Sequence, residues 1–254
     1  ERGTGLIDLR CEQAGLAVDQ TNLVYRAARL VLDRSQRPAD VSIHLTKRIP
    51  MGAGLGGGSS DAAATILGLK TALRLGWSIE EMGELGQQLG SDVPFFFVAP
   101  TASVTGRGER VRPLRITDRR WTLLVNPGFP VETKWAYQRL SGSRTAVRPI
   151  SEAHQRLAVQ ERLTWAQLTD LAENDFEVPV FAEHPILRDI KEGILRCGAE
   201  AALLSGSGAT VFGIFNDKAA AERAGSIWTG RPGMTVFVVP TCGKGIEIDV
   251  ENLD

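Results

Sequence analysis

Three short stretches of this 254-residue sequence carry residues whose type and spacing suit chemistry. The first runs Lys47-Arg-Ile-Pro-Met-Gly-Ala-Gly-Leu-Gly-Gly-Gly-Ser-Ser-Asp-Ala-Ala-Ala64, with five glycines between Gly52 and Gly58. Backbone without side chains can turn through positive φ and lie close against a ligand. Ser59, Ser60 and Asp61 are helix-opening residues, and the run from Ala62 to Leu69 favours helix. A glycine-rich loop that feeds a helix start offers unpaired N–H groups and about half a positive charge. Its natural occupant is a phosphate group.

Simple phosphate-loop patterns fit this stretch unevenly. G-x-x-x-x-G-K-[ST] fails because no lysine follows the glycines, and it fails at Gly243-Lys244 because Val238 stands where its first glycine belongs. G-x-G-x-x-G matches Gly52, Gly54 and Gly57, but the acidic residue expected about 20 positions on is missing. The nearest acids, Glu80 and Glu81, sit in Ser78-Ile-Glu-Glu81, which reads as the capping box of another helix. A flexible linker would not be followed by so strong a helix start.

The second stretch is Leu89-Gly-Ser-Asp-Val-Pro-Phe-Phe-Phe97. Proline after Val93 disfavours helix at that residue, so Asp92 should lie at a change of direction ahead of an apolar run. Burial beside the phenylalanines would raise its pKa and a neighbouring cation would lower it, either of which could tune a carboxylate. A turn or cap aspartate is the equally simple reading. The third stretch, Leu203-Leu-Ser-Gly-Ser-Gly-Ala-Thr-Val-Phe212, reads as strand, turn and strand. It is either a tight hairpin or a second place of close backbone approach.

Bulk properties mainly exclude. With 43% hydrophobic and 23% charged residues, the chain can bury one large core or two modest ones. A net charge of -1 argues against nucleic acid held on a broad basic surface. Cys11, Cys197 and Cys242 form no C-x-x-C pair, and His44, His154 and His184 are scattered, which suggests neither zinc nor a disulfide framework. No apolar run reaches membrane-spanning length and no signal peptide is evident, so a reduced, cytoplasmic enzyme is expected.

The elements that must hold these stretches intermingle. Strands are expected at Leu6–Cys11, Val41–Leu45, Trp121–Val125, Ala201–Leu204, Thr210–Phe215 and Thr235–Val239, with a two-stranded turn over Ala102–Leu114. Helices are expected at Asn22–Leu32 (capped by Thr21 or Asn22), Ala62–Leu73, Ile79–Leu89, Pro185–Arg196 and from Asp217 to Ala224. A Ser/Arg/Pro passage from about residue 145 suggests a boundary between two lobes. Long helices among mostly antiparallel-looking strands indicate an α+β fold rather than a parallel βαβα fold.

Together these stretches resemble the GHMP kinase family of small-molecule kinases. The family's phosphate loop, P-x-x-x-G-L-G-S-S-A-A, is followed by Pro50 to Ala63 with Gly-Gly inserted before the serines. Gly90-Ser-Asp-Val-Pro-Phe95 resembles its aspartate motif G-x-D-V-P-F, Asn22 to Ala28 its N-L-x-x-R-A-A helix, and Leu204 to Phe212 its C-terminal glycine motif. The resemblance covers about residues 5 to 240. It is closest to the branch with K-R-x-P-M before G-L-G-G-G-S-S, whose acceptor is a cytidine-diphosphate ester of methylerythritol in non-mevalonate isoprenoid synthesis.

The resemblance implies an ATP-binding lobe over 1–144, like domain 2 of ribosomal protein S5, and a ferredoxin-like lobe over 145–254. It implies ATP and Mg²⁺ as cofactors, Asp92 as the catalytic base, and Pro50, Gly52, Gly54, Leu55, Gly56, Gly57, Gly58, Ser59 and Ser60 around the phosphates, with Ser60 near the metal. Asn22 and Lys47 would border the base and ribose, Gly206, Ser207 and Gly208 would brace the loop, and Thr133 and Tyr137 would meet the cytidine. A monomer or weak homodimer without nucleic-acid or membrane partners is expected. The family also opens on a strand with A-K-x-N, whose lysine pairs with the catalytic aspartate, and continues to G-Y-H; neither occurs in this sequence, so the first lobe is expected to be N-terminally incomplete. Rival readings are a homoserine- or mevalonate-type kinase and a non-catalytic nucleotide-binding module.

Overall fold

The computed structural model describes residues 3–143 and 149–249, so the passage expected to mark a boundary near 145 begins outside the described residues. Two compact units emerge among the described residues: 3–49, 56–113 and 243–249 in one, and 50–55, 114–143 and 149–242 in the other. Residues 114–142, assigned from sequence to the first lobe, thus pack within the second unit. Each unit has its own apolar core.

The first unit opens with β1 (Ile7–Cys11), α1 (Leu23–Ser35) and β2 (Val41–Leu45). In β1 the apolar Ile7 and Leu9 point inward at every second position. β1 and β2 pair in parallel, Ile7 against Val41 through Cys11 against Leu45, with α1 as the crossover. This parallel pair contrasts with strands that pair mostly antiparallel elsewhere among the described residues. In α1, Val24, Ala27, Ala28, Val31 and Leu32 form one buried stripe at helical spacing. The cap is Asn22, whose Oδ1 accepts from Val24 N–H at 2.8 Å. α2 (Gly57–Ala72) packs Ala62, Ala63, Ile66 and Leu69 into the same core.

α3 (Ile79–Gln87) starts with the capping box read from sequence, Ser78 with Glu81. α4 (Phe95–Val98) is one turn long. β3 (Ala102–Thr105) and β4 (Arg110–Pro113) form the expected antiparallel pair.

The second unit runs β5 (Arg115–Ile116), β6 (Trp121–Asn126), α5 (Thr133–Ser143), α6 (Glu152–Ala158), β7 (Arg162–Leu163), α7 (Trp165–Thr169), α8 (Glu177–Glu183), α9 (Pro185–Arg196), β8 (Ala201–Leu204), β9 (Val211–Phe215), α10 (Lys218–Gly225) and β10 (Thr235–Pro240). β5 and β7 form a two-residue parallel pair. The main sheet has the order β10-β6-β9-β8, antiparallel throughout. Helices α9 and α10 pack on it, giving the β-α-β-β-α-β arrangement of ferredoxin-like folds. Leu123, Val125, Leu204, Val211 and Phe215 from the sheet meet Leu187, Ile190 and Ile194 of α9 and Ala221 and Ala224 of α10. No helix among the described residues is long and apolar enough to cross a membrane.

Candidate functional site

The helix start expected at Ser59–Asp61 lies two residues earlier, at Gly57. Gly57 and Gly58 are helical despite their low propensity, because tertiary packing holds them: a Cβ on Gly57 would fall 2.9 Å from Ile49 and 3.0 Å from Lys47 Nζ. Gly56 is the N-cap in the left-handed region, with φ 66°, and no side chain caps the helix. Ser60 N–H donates to Gly56 O at 2.9 Å. The amides of Gly57, Gly58 and Ser59 ahead of it have no intrahelical acceptor. Ser59 and Ser60 are half-buried, and Ser60 Oγ donates to Gly57 O at 2.9 Å, which leaves its lone pairs for another ligand. Uncapped amides at the positive end of a sixteen-residue helix could receive an anion by geometry and charge together.

Lys47 lies beside this start and is ion-paired with Asp61, the two side chains being 6% and 22% exposed. The pair neutralises the one acid close to the helix start, which would otherwise oppose an anion there. Asn22 is occupied at both ends of its amide: beyond capping α1, it donates through Nδ2 to Ala17 O at 2.6 Å. Asp92 stands exposed in the turn just before α4, and no ion pair to it occurs among the described residues. Burial beside the phenylalanines, one of the two tunings considered, does not occur, and the turn reading fits: the adjacent Val93 takes the core position. The turn is backed by the β3–β4 connection, where a Cβ on Gly108 would lie 2.5 Å from Ser91 O.

In the second unit, residues 50–55 meet the turn between β8 and β9. Pro50 and Leu55 are half-buried, Gly52 is exposed with Pro130 close by, and Ala53 is buried. Ala53 O accepts from Thr210 N–H at 3.1 Å and Gly54 O accepts from Ser205 Oγ at 2.8 Å. Gly54 has φ 72°, and a Cβ there would lie 2.2 Å from Ser205 O and 2.7 Å from Gly208 O, so only glycine fits. Gly206, Ser207 and Gly208 thus belong to a turn seated on the glycine loop, as a second place of close backbone approach requires.

Thr133 and Tyr137 open α5, both exposed. Thr133 Oγ1 lies 3.1 Å from Ser207 Oγ, and the Tyr137 ring stands edge-on to Phe176 at 4.9 Å.

Sequence reasoning missed three residues that hold this turn. Asn174 Nδ2 donates to both Leu204 O and Gly206 O at 2.8 Å, while its Oδ1 accepts from Phe176 N–H at 2.9 Å. Glu177 Oε1 accepts from Leu204 N–H at 3.0 Å, and its other oxygen pairs with Lys191 of α9. Buried Asn126 donates to Thr210 Oγ1 at 3.0 Å and accepts from Gly128 N–H at 2.9 Å. The one sequence signal was polar Asn-Asp beside apolar Phe176, without periodicity.

The pattern of the GHMP kinases N terminal domain matches residues 22–99, and that of GHMP kinases C terminal matches 154–232. The chain belongs to the GHMP kinase family. Its family is one of phosphotransferases that use ATP, and the chain shares the family's mixed α/β fold. A curated relative from Solibacter usitatus, 4-diphosphocytidyl-2-C-methyl-D-erythritol kinase, is 44% identical over 80% of this chain and 65% of its own length. Relatives of the same name from Geobacter sp. (strain M21) and Syntrophotalea carbinolica are 38% and 37% identical, over 86% and 92% of this chain and 75% and 81% of their own lengths. A crystal structure of 4-(cytidine 5'-diphospho)-2C-methyl-D-erythritol kinase covers 94% of this chain and 84% of its own at 30% identity, with a TM-score of 0.69. Homoserine kinase from Cytophaga hutchinsonii superposes with a TM-score of 0.71 at 17% identity over 93% of this chain and 82% of its own, which speaks for the fold alone.

Proposed function

We propose that this GHMP kinase transfers the terminal phosphoryl group of ATP to the 2-hydroxyl of 4-(cytidine 5'-diphospho)-2-C-methyl-D-erythritol. The observation that carries the phosphate side is the uncapped start of α2 at Gly57–Ser59. The acceptor rests on relatives of that name at 37–44% identity. Phosphoryl transfer needs in-line positioning and neutralised charge more than covalent help from protein. Gly54 to Ser60, with Pro50 and Gly52 leading in, would hold the phosphates. Gly206 to Gly208 would brace them, and Lys47 and Asn22 would border the base and ribose.

Asp92, exposed at its turn, would accept or orient the proton of the attacking hydroxyl, a role worth about 10²–10⁴-fold in rate. Thr133 and Tyr137 would meet the cytidine, Tyr137 offering a flat ring. A Mg²⁺ ion held beside the Ser60 hydroxyl would supply neutralisation of the phosphate charge. No cluster of acidic, histidine or cysteine side chains among the described residues would hold the ion unaided. The Ser60 hydroxyl, its proton directed to Gly57 O, fits an ion that arrives with the nucleotide. The reading carries with it a cytoplasmic, monomeric or weakly dimeric enzyme of non-mevalonate isoprenoid synthesis. Its ATP-binding and C-terminal functions would divide near residue 145, between the two family regions.

An ADP-release assay with cytidyl-methylerythritol, homoserine and mevalonate as acceptors tests the reading. Turnover of the cytidyl compound alone is expected, and Asp92→Asn should suppress it while nucleotide binding persists. Turnover of homoserine or mevalonate in its place would overturn the assignment.

A further inference from the structure

Leu204 ends β8, the edge strand of the second unit's sheet, where outward-facing N–H and C=O groups have no neighbouring strand to pair with. Both of its backbone groups are taken by side chains: the N–H by Glu177 and the C=O by Asn174. Asn174 reaches two residues further and holds Gly206 O with the same NH₂ group. Its orientation is fixed, because Oδ1 accepts from Phe176 N–H and the donor end must then face the turn. Glu177 is fixed in the same way, since Lys191 holds one carboxylate oxygen and leaves the other for Leu204.

The turn so gripped is the one that sits on Ala53 and Gly54. Contact there is tight enough that even a methyl group on Gly54 has no room, so a shift of Ser205 or Gly208 must move the loop. We infer that Asn174 and Glu177 are positioning residues for the phosphate loop, acting on its 50–55 half through the Leu204–Gly208 turn. This rests on the proposed reading that the loop binds ATP. An alternative role, covering a sheet edge, would stabilise the fold without affecting nucleotide affinity.

The test measures the Kd of the Mg²⁺ complex of the non-hydrolysable analogue AMP-PNP by calorimetry, with KM for ATP and acceptor and the thermal midpoint alongside. Asn174→Asp keeps an acceptor for Phe176 N–H and sets a carboxylate oxygen against the Leu204 and Gly206 carbonyls in place of the two donations. It should raise Kd and KM for ATP about tenfold, the loss expected for hydrogen bonds of this kind, and leave KM for the acceptor unchanged. Glu177→Ala should weaken AMP-PNP binding in the same direction, and Glu177→Gln, which retains an oxygen for Leu204 N–H, should restore it.

A lowered thermal midpoint with wild-type Kd and KM in folded Asn174→Asp and Glu177→Ala would overturn the inference and leave edge protection as the role. If Asn174→Asp does not fold, the Glu177 pair decides: equal, wild-type Kd for Ala and Gln overturns it. Absence of AMP-PNP binding by the wild-type chain would instead overturn the ATP reading, and the positioning role with it.

Discussion

At Gly56–Ser60 the backbone enters a sixteen-residue helix with no side chain over its first amides. At Leu204–Thr210, by contrast, Asn174, Glu177, Asn126, Ala53 and Gly54 take up one backbone or side-chain group after another. Both segments are glycine-serine turns of similar composition, yet no side chain caps the first, while in the second the amides of Leu204, Ser205, Gly208 and Thr210 and the carbonyls of Leu204 and Gly206 are bonded within the protein. The first amides of any helix lack intrahelical acceptors, and where no side chain takes them they remain available to an anion. The committed turn holds the 50–55 segment through Ala53 and Gly54. Glycine content alone does not separate the two roles; the hydrogen-bond partners do.

Substitutions at the two turns should therefore differ in size. The largest effect is expected at Gly54→Ala, where the new Cβ meets backbone oxygens that cannot swing away and φ stays positive. A loss of about 2–4 kcal/mol in denaturant unfolding is expected, with nucleotide affinity falling as well. Next comes Asn126→Ala, which leaves the buried Thr210 hydroxyl without this partner and frees the N–H of the exposed Gly128, and should cost about 1–3 kcal/mol. An equal or larger loss at Gly56→Ala than at Gly54→Ala would break the comparison.

At Gly56 the same left-handed conformation is needed, but the nearest atoms belong to the Phe96 ring, 3.0 Å away, which can shift. About 1 kcal/mol is expected there, read from the unfolding midpoint at constant slope. The smallest effect lies away from both turns, at Asp40, whose carboxylate accepts from Leu6 N–H and from Thr4 and is held below its usual 3.8 chiefly by the Leu6 bond. A depressed folded-state pKa gives stability that is present above 3.8 and lost as pH falls through the lower folded value. Asp40→Asn should therefore differ slightly from wild type at neutral pH and converge with it in acid unfolding; a gap that widened in acid would contradict this sign.

Much of this architecture is legible in the sequence where the signal is local. α9, β2 and β8 have the expected limits, because period, Pro185 and the flanking breakers define them. The Ser78–Glu81 box and the Asp217 cap are read from four-residue patterns and stand in the structure as hydrogen bonds. The start of α2 is not legible, since propensity puts glycine outside a helix and only the packing of Lys47 and Ile49 draws Gly57 in. The parallel pairing of β1 with β2 is a non-local choice, and the placing of residues 114–142 with the second unit depends on sheet order. Asn174 and Glu177 escape for the same reason, their partners lying 30 and 27 residues away in sequence. Asp92 and the glycine loop were visible by type and spacing, but Asp92's exposure was not, because the neighbouring Val93 takes the core position.

On the proposed reading, the amides of Gly57, Gly58 and Ser59 receive the nucleotide phosphates, and those of Leu204 and Thr210 do not. Amide-resolved NMR with added Mg²⁺–AMP-PNP tests it most directly. The account predicts large shifts and new exchange protection at Gly57, Gly58 and Ser59, with Leu204 and Thr210 already protected before nucleotide is added. Saturable binding that leaves those three amides unmoved would contradict it.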